Sequence, residues 1–203
     1  ELCKLHENTF RAVNISYANQ MRDYSAHLGL NFDEVISLAK SKPFGFMAFN
    51  SGIGVGGHCI PIDPHFLLSK ANTPDIQMSI IEMALLEIEK GPQKSYDWLI
   101  KQGVTNNDVL LTGIAYKDGV SDTRGSPAIE LFKLLKTKSN VYFWDPKVKE
   151  INILGETFFS VTEEFFKNFG GIVIIINESG ERFVKDNKIL ASKILDPRYK
   201  IEL

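Results

Sequence analysis

Residues 1–28 contain no proline or glycine, and Phe10, Val13, Tyr17, Met21, Tyr24 and Leu28 recur at steps of three and four. This spacing keeps returning to one face of a 3.6-residue period. It predicts a long amphipathic helix, ended by Gly29. A short helix is expected after Asn31, over about 33–40. The periodicity then lapses. Residues 41–64 hold Gly45, Gly52, Gly54, Gly56 and Gly57 together with Pro43, Pro61 and Pro64. They read as a long loop, and long loops inside compact domains are usually functional. Helical spacing returns from about Asp75, with Ile81, Leu85 and Ile88 on one face. Gly91-Pro92 is expected to kink or break that helix before the pattern resumes to about Gln102.

From Asp108 the texture changes. Val109 to Gly113 reads as a buried strand, Pro127 to Lys136 as a helix started by Ser126, and Val141 to Trp144 as a strand. Thr162 to Asn168 reads as a helix, Ile172 to Ile176 as a strand, Glu181 to Asp186 as a helix and Lys193 to Leu195 as a short last strand. Strand and helix alternate, which argues for a parallel, Rossmann-like sheet. The expected fold class is therefore α/β: an all-helical domain over residues 1–103, then a Rossmann-like parallel-sheet domain over 104–203. The boundary falls in the polar stretch Gly103 to Asn107. The only strand followed by glycine, Leu110 to Gly113, lacks the GxGxxG pattern of a dinucleotide fold.

The 203 residues suffice to bury a core, and 44% hydrophobic with 24% charged residues is ordinary for a globular protein. A net charge of -2 gives no global pull toward nucleic acid or an anionic membrane. No apolar run approaches the ~20 residues of a bilayer span. The sequence opens at Glu1, not Met, in what already reads as mid-helix, so a piece of a longer protein is expected. The two cysteines, Cys3 and Cys59, make no disulfide framework. Without an export signal they read as free thiols in a reducing cytoplasm.

The segment richest in chemistry is Gly52-Ile53-Gly54-Val55-Gly56-Gly57-His58-Cys59-Ile60-Pro61-Ile62-Asp63-Pro64. Closely spaced glycines let a backbone approach a ligand and adopt positive φ. A cysteine at the end of such a loop can present a thiolate nucleophile, and Asp63 lies near enough to hold a water or act as a base. Three alternatives stand beside this. Cys59 can be a small buried hydrophobe. His58, Cys59, Asp63 and His65 contain potential metal ligands, but their spacing is wrong for the usual paired sites, so no metal is expected. A cysteine hydrolase would need a histidine placed to activate Cys59, and no motif supplies one.

GVGGHCIPIDP resembles the active-site segment of the UDP-glucose/GDP-mannose dehydrogenase superfamily, whose catalytic cysteine sits in a GxGGxCxPxD pattern. Two further segments agree, in the right order. Leu2 to Asn8 resembles the helix that carries the family's catalytic lysine and asparagine. Gly113-Ile114-Ala115-Tyr116-Lys117, followed by Ser121 to Pro127, resembles the opening of its UDP-binding domain, with Gly125 where the family usually has an acidic residue. Asp196-Pro197-Arg198 is similar to a late Asp-Gly-Arg. The resemblance covers essentially the whole chain.

The resemblance implies a two-step oxidation of a sugar C6 alcohol to a carboxylate, with NAD as hydride acceptor. Cys59 would form a thiohemiacetal and then a thioester, Lys4 and Asn8 would steady the developing oxyanion, and Asp63 would assist hydrolysis. Lys4 and Asn8 are four apart and so share one helix face. The implied substrate-binding residues are Tyr116, Lys117 and Arg198, with Phe49, Asn50, Ser51, Gly52, Gly56 and Gly57 of the loop. Phe44 and Phe46 would add packing surface along the substrate. Arg124 would reach the cofactor, whose own domain would precede residue 1, so the 203 residues are not expected to turn over alone. Ile62 stands where members acting on UDP-glucose or GDP-mannose carry lysine. With Lys42 to Met47, it makes the chain look more like the UDP-N-acetylhexosamine 6-dehydrogenases of surface-polysaccharide pathways. UDP-glucose oxidation and a non-catalytic UDP-sugar-binding or dimerisation module remain alternatives. The expected partners are a UDP-sugar and a second copy, met through the long first helix.

Overall fold

A computed structural model describes residues 1–71, 76–187 and 189–203. Helix α1 (Leu2–His27) runs first. Helix α2 (Phe32–Lys40) follows, its start capped by the Asn31 side chain accepting from the Asp33 amide. The glycine loop leads into α3 (Asp63–Ala71), a helix the periodicity did not indicate. The expected helix start at Asp75 lies outside the described residues, and α4 spans Ser79–Lys101. The helices pack mainly as α1 on α4 and α1 on α3.

The expected break at Gly91-Pro92 is not there: α4 runs through both residues. A mid-helix proline loses one backbone bond and crowds the carbonyl four residues earlier. Tertiary packing holds the helix together here. A Cβ on Gly91 would lie 2.6 Å from the Ile53 carbonyl oxygen, so the glycine loop is seated directly on the helix at this point.

The second half holds β1 (Asp108–Thr112), α5 (Pro127–Lys136), β2 (Asn140–Trp144), the hairpin β3 (Glu150–Ile153) and β4 (Glu156–Phe159), α6 (Glu163–Lys167), β5 (Ile172–Ile175), α7 (Glu178–Asp186), β6 (Lys193–Asp196) and β7 (Ile201–Glu202). The main sheet has the order β2-β1-β5-β6-β7. Its first four strands are parallel, and β7 closes the edge antiparallel to β6. The parallel Rossmann-like sheet matches expectation. The β3–β4 hairpin and β7 were not anticipated. Their strands are four or two residues long, and β4 carries no alternating burial pattern.

One face of the sheet buries Val109, Leu111 and Ile174 with Leu131, Phe132 and Leu135 of α5. The other buries Leu110, Val173 and Ile175 with Phe166 and Phe183. The first of these cores also takes in Leu99 of α4 and Ile53 of the glycine loop. The loop is thus built into the joint between the two halves.

The long first helix holds a reversal. Its apolar stripe is turned outward, with Phe10, Tyr17, Tyr24 and Leu28 all exposed. The buried face instead carries Thr9, Ala12, Ser16, Asn19 and Arg22. Small and hydrogen-bonding residues let α4 approach: the Ser16 hydroxyl donates to the Ala12 carbonyl and reaches the Ala84 carbonyl, both at 2.8 Å.

Candidate active site

Asp63 is buried at the first turn of α3, and its amide donates to the Cys59 carbonyl at 2.8 Å. This turn ties the carboxylate to the cysteine. The α1 face bearing Lys4 and Asn8 meets it from across the chain. Asn8 Nδ2 donates to Asp63 Oδ2 at 2.6 Å, and Lys4 Nζ lies 3.3 Å from the same oxygen. Lys4 is largely exposed, as is Cys59, a free thiol. An amine, an amide and a carboxylate are therefore in contact one turn from an accessible sulfur.

The loop that delivers Cys59 is threaded through contacts only glycine tolerates. A Cβ on Gly56 would lie 2.7 Å from the Gly125 carbonyl oxygen and 2.8 Å from Tyr116 Cβ. Gly57, at φ +87°, lies against the Tyr116 ring, where a Cβ would come within 2.8 Å. Tyr116 therefore packs on the cysteine loop from the sheet side. Lys117 is exposed beside it, and Asn50 is exposed at the loop's entry.

Upstream, the loop is pinned by polar bonds. The Ser51 hydroxyl donates to the Arg198 carbonyl at 2.6 Å, and the Gly52 amide donates to Asn19 Oδ1 at 2.9 Å. Phe49 packs edge-on against Phe10 with ring centroids 5.8 Å apart. Phe46 and Phe49 line an apolar groove of about 710 Å³ with α1 and α2, and Phe44 is 83% exposed.

Two sequence-expected residues are engaged within the chain. Arg198 is buried: Nε and Nη2 donate to the Asp196 carboxylate, and Nη2 also donates to Glu181 at 2.7 Å. Burial opposes its charge, but the Asp196 and Glu181 carboxylates prevail and raise its pKa. Its side chain holds its own turn together, while its carbonyl anchors Ser51. Arg124 is exposed and forks onto Asp122, whose carboxyl its hydrogen bonds hold at about 2.

The residues do not fit a dinucleotide at this sheet. The Asp145 carboxylate, buried at the end of β2, accepts from the Ile114 and Ala115 amides at 2.8 and 3.1 Å and from the Lys147 and Val148 amides at 2.9 and 3.1 Å. Amides that would face a pyrophosphate after the first strand are already taken. Among the described residues no group of three or more His, Cys, Asp or Glu could hold a metal ion, and no helix is long and apolar enough to cross a membrane.

Sequence reasoning missed Asn19, Arg22, Asp23 and Asp145. The first two lie on the α1 face opposite the apolar stripe, where polar residues read as solvated. Asp145 precedes a proline after a strand, which signals a turn but not a carboxylate bonded to four amides.

Sequence models of the UDP-glucose/GDP-mannose dehydrogenase family match in two places: its central domain over residues 1–88 and its UDP binding domain over 110–198. A UDP-N-acetyl-D-mannosamine dehydrogenase of Methanococcus aeolicus is 34% identical over 184 residues, 88% of this chain and 40% of that protein. Among solved structures, a UDP-D-ManNAc dehydrogenase from Pyrococcus horikoshii matches 97% of this chain and 47% of its own at 30% identity and a TM-score of 0.76. The UDP-N-acetyl-mannosamine dehydrogenase Cap5O from Staphylococcus aureus matches 97% and 46% at 27% identity and a TM-score of 0.75. The chain thus spans less than half the length of these relatives. Matching both domain models in order, with the same fold throughout, the chain belongs to the UDP-glucose/GDP-mannose dehydrogenase family.

Proposed function

We propose that these residues form the catalytic-cysteine and UDP-sugar-binding part of an NAD-dependent nucleotide-sugar 6-dehydrogenase, acting on a UDP-N-acetylhexosamine. The observation that carries this is the meeting of Lys4, Asn8 and Asp63 one turn from the exposed Cys59. The proposed division puts the cysteine loop in 1–103 and the nucleotide half in 104–203. Ile62 beside Asp63, and the names of the relatives, favour an acetamido sugar over glucose.

The chemistry is assigned to side chains of this chain. The Cys59 thiolate adds to the C6 aldehyde carbon, and the carbonyl electron pair moves to oxygen. Lys4 and Asn8, which now meet Asp63, would donate to that oxygen. After oxidation to the thioester, water attacks the acyl carbon and the Cys59–carbon bond breaks, returning the thiolate. Asp63 takes the water's proton. Tyr116, Lys117 and the 49–57 loop hold the sugar nucleotide. NAD would supply the oxidant twice, accepting one hydride as the C6 alcohol becomes the aldehyde and a second as the thiohemiacetal becomes the thioester; it would be held by a part of the enzyme outside these 203 residues, with Arg124 reaching it from this side. The setting is a reducing cytoplasm, where both thiols stay free and the product feeds surface polysaccharide.

The test is Cys59→Ser in the complete enzyme. Acid formation is expected to disappear while UDP-sugar binding persists. Unchanged acid production would remove Cys59 from the mechanism.

A further inference from the structure

Arg22 has no part in the chemistry above, yet its side chain is only 1% exposed. A guanidinium is costly to bury unless its donors are matched. Nε and Nη2 donate to Asp23 Oδ1 at 2.9 and 2.8 Å. Nη1 donates to the Gly52 carbonyl at 2.6 Å and, more weakly, to the Pro197 carbonyl at 3.4 Å. These carbonyls belong to distant parts of the chain. Gly52 opens the cysteine loop. Pro197 lies in the turn just after β6, at the carboxyl end of the parallel strands, the side on which open α/β sheets bind ligands.

The grip on Gly52 is two-sided. Asn19, one helical turn before Arg22, accepts the Gly52 amide while Arg22 holds its carbonyl. The turn is likewise held twice more. Ser51 donates to the Arg198 carbonyl, and Lys200 lies 2.8 Å from the Asp23 oxygen that Arg22 uses. Arg22 is thus the one side chain among the described residues that hydrogen-bonds both the root of the cysteine loop and the turn at the ligand edge of the sheet.

We propose that Arg22 is a positioning residue that couples nucleotide occupancy of the sheet to the placement of the cysteine loop. This rests on the reading that the second half binds a UDP-sugar. A ligand that shifts the 196–198 turn moves an acceptor of Arg22, and the same guanidinium carries the shift to Gly52. Lysine there would keep the charge but lose the fork that reaches three acceptors at once.

The test is hydrogen exchange by mass spectrometry on the 203-residue chain, with UDP as the probe and calorimetry to measure its binding. In the wild type, saturating UDP is expected to slow exchange in residues 51–58 by about fivefold or more. In Arg22→Gln, UDP should still bind and still protect residues 110–125, but the loop should no longer respond. Arg22→Lys should recover part of the response. A merely structural role would raise exchange everywhere and leave the loop's response to UDP intact. Equal loop protection by UDP in folded Arg22→Gln, or no loop protection in a wild type that binds UDP, overturns the proposal.

Should Arg22→Gln not fold, Arg22→Lys is read in its place, since it keeps the buried charge and loses the fork. Its loop response to UDP is expected to fall below the wild-type value, and an undiminished response overturns the coupling. Failure of UDP to bind the wild type would instead defeat the nucleotide-binding reading. Exchange without ligand then decides for Arg22. Selective acceleration of residues 51–58 and 196–201 by roughly tenfold supports its role as a clamp, and uniform acceleration refutes it.

Discussion

Asn8 donates to Asp63 Oδ2 at 2.6 Å, joining the first helix to the helix that follows the cysteine loop. Lys4 reaches the same oxygen from one turn earlier. The bond satisfies a buried carboxylate and leaves the Asn8 amide beside the proposed reacting centre. Asn8→Ala is expected to lower stability by about 1–3 kcal/mol, since it leaves Asp63 short of a partner. It is expected to lower kcat of the complete enzyme by about 10²–10³-fold as an oxyanion donor is lost. Thermal unfolding and steady-state kinetics read the two effects separately.

Gly57 combines positive φ with a close aromatic neighbour. Gly57→Ala is expected to cost about 1–3 kcal/mol, through overpacking against Tyr116 and the strained backbone together. Adding Tyr116→Ala should return only part of this loss, because the ring clash disappears while φ stays positive. A denaturant-unfolding double-mutant cycle measures the coupling.

Asp23 takes hydrogen bonds from Arg22 and, at 3.3 Å, from Lys94, and pairs with Lys200 at 2.8 Å. Burial works against its ionisation, but Arg22 and Lys200 prevail and hold its carboxyl below the usual range. A folded pKa below the unfolded one stabilises the fold fully above the unfolded value, about 3.9 for aspartate. That contribution fades as pH falls through the depressed folded pKa. Asp23→Asn is therefore expected to lose roughly 3 kcal/mol at pH 7, because Arg22 is left buried without its carboxylate. The gap to wild type should narrow in acid, below about pH 4. Urea unfolding at a series of pH values measures this.

The outward stripe of α1 fits burial against a second copy. Tyr17→Lys with Tyr24→Lys is expected to give a monomer in sedimentation at concentrations where the wild type is expected to dimerise, with helicity unchanged. A wild type that sediments as a monomer at high concentration would remove α1 as an interface.

Much of this architecture is legible in the sequence. The 3.6-residue pattern locates α1, and strand-helix alternation from Asp108 announces the parallel sheet. Glycine and proline spacing marks the loop that carries Cys59 and Asp63, while Lys4 and Asn8 are singled out only by the resemblance to the dehydrogenase family. Which face of α1 is buried is not legible: hydrophobicity points to the stripe, while close packing on α4 selects Ala12, Ser16 and Asn19. Pro92 misleads for a related reason, since local propensity forecasts a break that packing against Ile53 and Gly54 overrides. The family resemblance marks Arg198 as a substrate-binding residue, and its pairing within the chain is not legible because the Glu181 carboxylate that joins Asp196 on it lies in a different element.

The central claim is a covalent bond between substrate and Cys59, resolved with the help of Asp63. Its most direct measurement is acid quenching of the complete enzyme carrying Asp63→Asn, during oxidation of a UDP-N-acetylhexosamine with NAD, followed by peptide mass analysis. The account predicts the mass of a sugar-acyl thioester on the peptide containing Cys59, accumulating because hydrolysis is slowed. Acid release at the wild-type rate, with Cys59 unmodified throughout turnover, would contradict it.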